Sequence, residues 1–258
     1  MTTQAFMTAK PEIRKFTTRN HELRAKVDAY LDTCIKDFYL NVPFARHQLD
    51  AEEVNLDYYK RHNIETILRL RRKRTIDALA LGYFTKVDPV AAKAWAHYAD
   101  DEMLHDVLFA ADLKRVGVTT EEIYSTEPFL STKLLTGYLQ YGLEYEGTPL
   151  ALIASVYFVE YTTTRTQPDW LDNLEKSLGK DKVAGQRTHV GTDLGDAHDD
   201  FVWGVLETLV KTPADEQKLM EHMVDVCRLW VMYFTELYHA TVESGRPVEL
   251  PPAVPLQA

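Results

Sequence analysis

Glu102 and His105 stand three residues apart in the segment AHYADDEMLHDVLFAADL. On an α-helix, side chains at that spacing adjoin on one face, so a carboxylate and an imidazole can reach one cation. A carboxylate that bridges two ions, joined by a neutral ring nitrogen, suits non-haem iron or manganese. The pair alone carries little, because E-x-x-H also arises by chance and Asp100, Asp101 and Asp106 give the stretch the look of a solvated face. It needs partners from other helices.

Glu160 is the strongest of these. It ends the run Pro149 to Val159, which is apolar on every side and therefore reads as a buried helix. An unpaired carboxylate there costs several kcal/mol, so a metal ion or an arginine must compensate, Arg165 being the structural alternative. A third cluster runs from His189 through Asp193 and Asp196 to His198. At about 100° per residue, His189, Asp193 and Asp196 share one helical face and His198 falls opposite. His198 joins only if the helix is bulged, for which Gly191 and Gly195 leave room. A fourth carboxylate is expected from the helix before Glu102, either Glu65, flanked by Ile64, Ile67 and Leu68, or Asp77. The other histidines have no partners at ligand spacing, and Tyr157 and Tyr161 beside Glu160 read as core.

A cationic run, Arg69, Arg71, Arg72, Lys73 and Arg74, interrupts an otherwise acidic chain. It spans more than half a helix circumference. Pairing with acidic neighbours is the plain account. The functional one has Arg71 or Arg72 clamping a substrate carboxylate with a forked guanidinium, and Arg165 is a further substrate-binding candidate.

These residues must be held by helices, and the 258-residue chain is written in helical period almost throughout. Helices are expected over 19–39, Asp50 to Tyr83, Val90 to Arg115 after Pro89, and 128–145. Further ones are expected over 150–166, 169–178, 181–211 and 214–243. Alternating β-branched runs bounded by hairpin turns do not appear. The expected fold is an all-α, single-domain bundle of about seven helices over 18–245, with a flexible segment 1–17 and a Pro-rich tail 246–258. A net charge of −10 argues against nucleic-acid binding. No apolar run is long enough for a membrane span, and the first residues lack a secretory pattern, so a cytoplasmic location is expected. The two cysteines, Cys34 and Cys227, read as buried thiols and not as a disulfide framework.

With these positions in place, the chain resembles the haem-oxygenase-like di-metal oxidase/oxygenase superfamily. That family collects metal ligands as a carboxylate, a Glu and His pair, a lone Glu, and H-x-x-x-D-x-x-H from successive helices. The short Glu102-x-x-His105 spacing is similar to the branch with the fatty-acid decarboxylase that forms terminal alkenes. Glu160 matches the lone glutamate and His189-x-x-x-Asp193 opens the last motif, across about residues 55–245. The family's final histidine falls at Asp196 here, so either Asp196 or His198 completes the second site. The resemblance implies two Fe(II), with Mn as an alternative, O2 as co-substrate, and an external electron donor. It implies oxidation of a small carboxylate by hydrogen abstraction, with desaturation, ring closure or C–C cleavage as outcomes. The arginines direct this towards a free aliphatic amino acid in specialised metabolism, with a fatty-acid decarboxylase as the alternative. Glu102 is expected to bridge, or sit between, the two ions, with His105 and Glu160 completing one and His189, Asp193, Asp196 and Glu65 or Asp77 completing the other. A homodimer is the expected closed assembly. Two rivals stand beside this reading. A ferritin-like di-iron N-oxygenase lacks its second E-x-x-H here, since Gly195 stands three residues before His198. A metal-free helical protein would use Glu102 and Glu160 to anchor a small ligand.

Overall fold

A computed structural model describes residues 18–196 and 198–243, and for 192–196 and 198 it describes the backbone alone. The expected flexible segment 1–17 and the tail 246–258 lie outside the described residues. Among the described residues the chain is all helix, with no strand. No described helix is long and apolar enough to cross a membrane.

Side-chain caps set where the helices begin. The Asn20 side chain accepts the Leu23 N–H at 3.0 Å and opens α1 (His21–Asn41). One turn, α2 (His47–Asp50), follows. Asn55 then caps α3 (Leu56–Val87), whose 32 residues span about 48 Å. Asp88 accepts the N–H groups of Val90 and Ala91, with Pro89 in the first turn of α4 (Pro89–Glu102). Next come α5 (His105–Arg115), α6 (Thr120–Ser125) behind a Thr119/Glu122 capping box, and α7 (Leu130–Tyr141). A π-helical turn, Gly142–Glu146, leads to α8 (Leu150–Leu178). A 3-10 turn at Lys180–Val183 precedes α9 (Ala184–Asp196) and α10 (His198–Leu206). A second capping box, Thr212/Asp215, starts α11 (Pro213–Thr241).

Several expected boundaries move. The first long helix runs on through Phe84 to Val87, because Phe84 is wholly buried and holds the last turn. The break expected at Pro168 does not occur, and α8 passes straight through it. An internal proline costs about 3 kcal/mol. Burying Trp170, Leu171 and Leu174 beyond it returns about 1.5–3 kcal/mol each and keeps the helix running. Conversely, the helix expected over Val90 to Arg115 is interrupted at Met103 and Leu104; within the expected 181–211 the described helices are α9 and α10, and residue 197 between them lies outside the described residues.

α8 occupies the centre. Leu152, Ile153, Ala154 and Tyr157 are fully buried, as the apolar run predicts, against α9, α10 and α11. α3 packs along α4 and α5 on the other side of the core. Trp95, Trp203 and Phe84 fill the space between. The bundle therefore brings α3, α4, α5, α8 and α9 around one buried region.

Candidate metal centre and its cavity

Glu102 is the last residue of α4 and His105 the first of α5. Between them Leu104 leaves helical geometry at φ −120°, ψ 12°, and Met103 and Leu104 face outward. The two functional side chains turn inward and are buried. Glu102 Oε1 and His105 Nδ1 lie 3.1 Å apart. Neither atom has an aligned hydrogen-bond partner among the described residues. Buried polar atoms are nearly always satisfied, and these two face each other as an imidazole and a carboxylate, both of which are ligand types for a metal ion. Burial pushes the Glu102 carboxyl up, but His105, Lys73 and His189 outweigh it and hold it below its ordinary value.

His189 completes the group. One ligand atom each from Glu102, His105 and His189 lies within 4.8 Å of the others. The two imidazole rings meet edge to face with centroids 4.3 Å apart, and Phe109 packs on His189 at 5.4 Å. The expected division of ligands placed His189 on a second ion; here it lies within reach of the same position as Glu102 and His105. The reason is the docking of α9 on α5. Asp112 on α5, fully buried, accepts the N–H groups of Gly185 and Gln186 at 2.8 and 2.9 Å, capping the start of α9. A Cβ on Gly185 would lie 2.2 Å from the Leu108 carbonyl oxygen, so only glycine allows this approach. Tyr59 ties the same corner, accepting from Gln186 and donating to the Lys182 carbonyl. His189 follows one turn later and faces His105.

The carboxylates beside this trio come from α3 and α8. Asp77 is buried, and its Oδ2 accepts from Lys73 Nζ at 2.7 Å, while Oδ1 has no partner among the described residues. Burial first, and then the Glu102 charge, push the Asp77 carboxyl up. Glu65 lies about 18 Å away along the same helix. It binds Arg61 at 2.6 Å and the Phe129 N–H at 3.1 Å, holding the start of α7. Of the two upstream candidates, the fold brings Asp77 beside Glu102 and uses Glu65 elsewhere. Glu160 is buried and accepts the Tyr98 hydroxyl at 2.8 Å. Burial and the charges of Glu102, Glu160 and Asp77 raise the Tyr98 hydroxyl far above its usual range, so it stays a donor. The side chains of Asp193, Asp196 and His198 lie outside the described residues.

A cavity of about 240 Å³ opens beside the centre, with Glu102, Glu160 and His189 in its wall. Phe38, Phe158, Trp230 and Phe234 make much of the rest. The arginines expected to clamp a substrate do not reach it. Arg71 is exposed and stacks on Tyr124, Arg72 is exposed, and Arg165 is exposed and lies over the Tyr161 ring at 3.3 Å. Arg74 pairs with Asp106. Arg69 is the arginine of the run that lines the cavity. It stacks on Trp230 and Tyr233 at 4.8 and 4.2 Å and donates to Thr66 and Thr132, with no carboxylate partner among the described residues. Tyr157 and Tyr161 hydrogen-bond to Asp28 and Asp32 on α1 and not to the site. Cys34 and Cys227 are free thiols, also in the cavity wall.

No protein-family model matches the chain, and no curated protein matches it in sequence. Solved structures do. A domain of unknown function with a haem-oxygenase-like fold from Shewanella denitrificans aligns over 89% of this chain and 97% of its own, with a TM-score of 0.72 and 19% identity. The fold is haem-oxygenase-like. A TenA family transcription regulator from a Silicibacter species covers 83% of this chain and 96% of its own (TM-score 0.66, 12% identity). A TenA homologue from P. horikoshii covers 84% and 98% (TM-score 0.62, 14% identity). At these identities the likeness concerns architecture alone.

Tyr98 and Asp112 at the centre escaped the sequence reading, and Lys73 entered it only as a member of the cationic run. Lys73, Tyr98 and Asp112 carry no motif, yet Lys73 stands four residues before Asp77 and Tyr98 four before Glu102. That spacing puts each on its partner's face, and it was the available signal.

Proposed function

We propose that this protein is an O2-using oxidase with two non-haem metal ions, acting on an apolar-tailed carboxylic acid. The observation that carries the reading is the convergence of buried Glu102 and His105 with half-buried His189 beside a largely apolar cavity. The donor set, one carboxylate and two imidazoles with Asp77 and Glu160 nearby, matches the preferences of iron or manganese.

Glu102, His105 and His189 would hold one ion, and Asp77 and Glu160 would contribute carboxylates to the other. When bound, an Fe(II) pair would give electrons to O2, and O2 would be the oxidant for removing hydrogen from an unactivated carbon. The chain's own part is to orient and to enclose. Tyr98 fixes the Glu160 carboxylate through its hydroxyl. Phe158, Trp230 and Phe234 give the cavity apolar walls, and Arg69, which has no carboxylate partner among the described residues, would offer its guanidinium to a substrate carboxylate.

A free aliphatic amino acid, favoured when Arg71 and Arg72 were the expected anchors, loses those anchors because both are exposed. Its ammonium also lacks an acidic partner away from the metal end. An aliphatic acid needs one cation and apolar walls, which this cavity has. The test is anaerobic loading with Fe(II), followed by metal analysis and O2 uptake with octanoate, decanoate, leucine or no addition. At least one iron per chain, lost in Glu102→Ala and His189→Ala, with uptake accelerated by the fatty acids, is the expected result. Iron content unchanged in both variants would sink the reading.

A further inference from the structure

Lys73 is the cation that the proposed chemistry does not use, and it sits among the carboxylates. Its ammonium is 2.7 Å from Asp77 Oδ2 and 4.7 Å from the centroid of the Tyr98 ring, whose hydroxyl binds Glu160. It also lies 5.7 Å from the centroid of the Trp95 ring, so aromatic faces on α4 wall the position. Lys73, Glu102 and Glu160 line the same cavity, and Asp77, Glu102 and Glu160 are the carboxylates whose charges act on the lysine.

We propose that Lys73 is the resident counter-ion of the second cation position: it occupies the Asp77 and Glu160 side of the centre and must withdraw before a second metal ion binds there. The inference rests on the proposed metal centre. One ammonium and one divalent ion at Glu102, His105 and His189 together neutralise the three described carboxylates. A second divalent ion then meets no net attraction from them and a like charge at close range. Exchange is open to Lys73 in a way it would not be to arginine. The lysine stem is flexible, its ammonium makes point-charge contacts and no fixed fork, and the side chain is still 18% exposed. Metal loading is therefore sequential, the first ion tight and the second admitted in exchange for an internal cation.

The test is anaerobic equilibrium dialysis of the full chain against Mn(II), counting ions per chain, together with the thermal midpoint of the metal-free protein. The proteins are wild type, Lys73→Met and Lys73→Arg. Wild type should take one ion tightly and a second weakly. Lys73→Met should bind the second ion roughly tenfold or more tightly than wild type, as expected when a like charge leaves the site. Its metal-free midpoint should fall and recover with Mn(II). Lys73→Arg, with its fixed fork, should bind the second ion no better than wild type, and it carries the comparison if Lys73→Met fails to fold without metal. One ion in wild type with no gain in Lys73→Met, or a tighter second ion in Lys73→Arg, overturns the inference and leaves the metal centre standing. No ion in any of the three overturns both.

Discussion

Asp112 on α5 accepts the backbone N–H of Gly185 at 2.8 Å, and this contact decides where His189 points. It exists because residue 185 has no side chain, since a Cβ there would sit 2.2 Å from the Leu108 carbonyl oxygen. Gly185→Ala should therefore push α9 away from α5. Overpacking of this kind costs about 1–3 kcal/mol. Urea unfolding should register that loss, and the first metal ion should bind more weakly because His189 has moved. A variant with wild-type stability and unchanged metal content would show that α9 docks some other way.

Tyr98→Phe removes the hydroxyl that orients Glu160 and leaves the ring in place. Loss of such an orienting hydrogen bond lowers metal affinity by roughly 10- to 100-fold. The drop should appear in dialysis against Mn(II) with little change in the thermal midpoint of the metal-free protein. Equal affinity in the two proteins would remove Glu160 from the ligand set.

Arg69 should determine how tightly a carboxylate substrate is held. A charge-assisted hydrogen bond in a partly buried site contributes about 1.5–3 kcal/mol, so Arg69→Met should raise KM for decanoate by roughly 10- to 100-fold. Arg72→Met, on the exposed side of the same helix, should leave KM unchanged. If the two variants behave alike, the anchor lies elsewhere.

His62 links the cavity wall to acid stability. It is buried and bonded to the Tyr233 hydroxyl at 2.9 Å, and burial, with the Arg69 charge beside it, pushes its pKa from 6.5 down to about 3. The folded pKa lies below the unfolded one, so the contribution to stability is complete above pH 6.5 and is lost as pH falls from there towards about 3. Over that window unfolding takes up one extra proton, a slope of about 1.4 kcal/mol per pH unit. His62→Gln should flatten the acid limb of a stability–pH curve by that amount, whatever it does to stability at neutral pH. An unchanged slope would mean that His62 titrates normally in the folded protein.

The all-helical architecture was legible because amphipathic period and caps are local. Asp88 and Thr212 cap helices that begin within a residue of where they are expected, whereas the start expected at Asp50 moves to Leu56 behind the Asn55 cap, and the apolar run before Glu160 implies burial of that carboxylate. Two boundaries were not legible for a physical reason. Pro168 should stop a helix, and only the burial of Trp170, Leu171 and Leu174 against other elements outweighs it. The interruption at Met103 and Leu104 has no proline or glycine to announce it.

By itself, the sequence determined that Glu102 and His105 share a location, because residues three apart in the chain stay close even where the helix breaks between them, and that Glu160 is buried, because it ends a run that is apolar on every side. Which helices then meet was beyond it. Glu65 and Asp77 are equally plausible on α3, and what separates them is that one end of α3 packs against α4 while the other end holds α7. Arg69 and Arg71 are two residues apart and point to opposite sides of the same helix. The side that faces the cavity is set by Trp230 and Tyr233 on α11. His189 joins Glu102 and His105 because a buried aspartate and a missing Cβ allow α9 to approach α5. Periodicity reports which residues share a face, and only close packing between helices decides what that face meets.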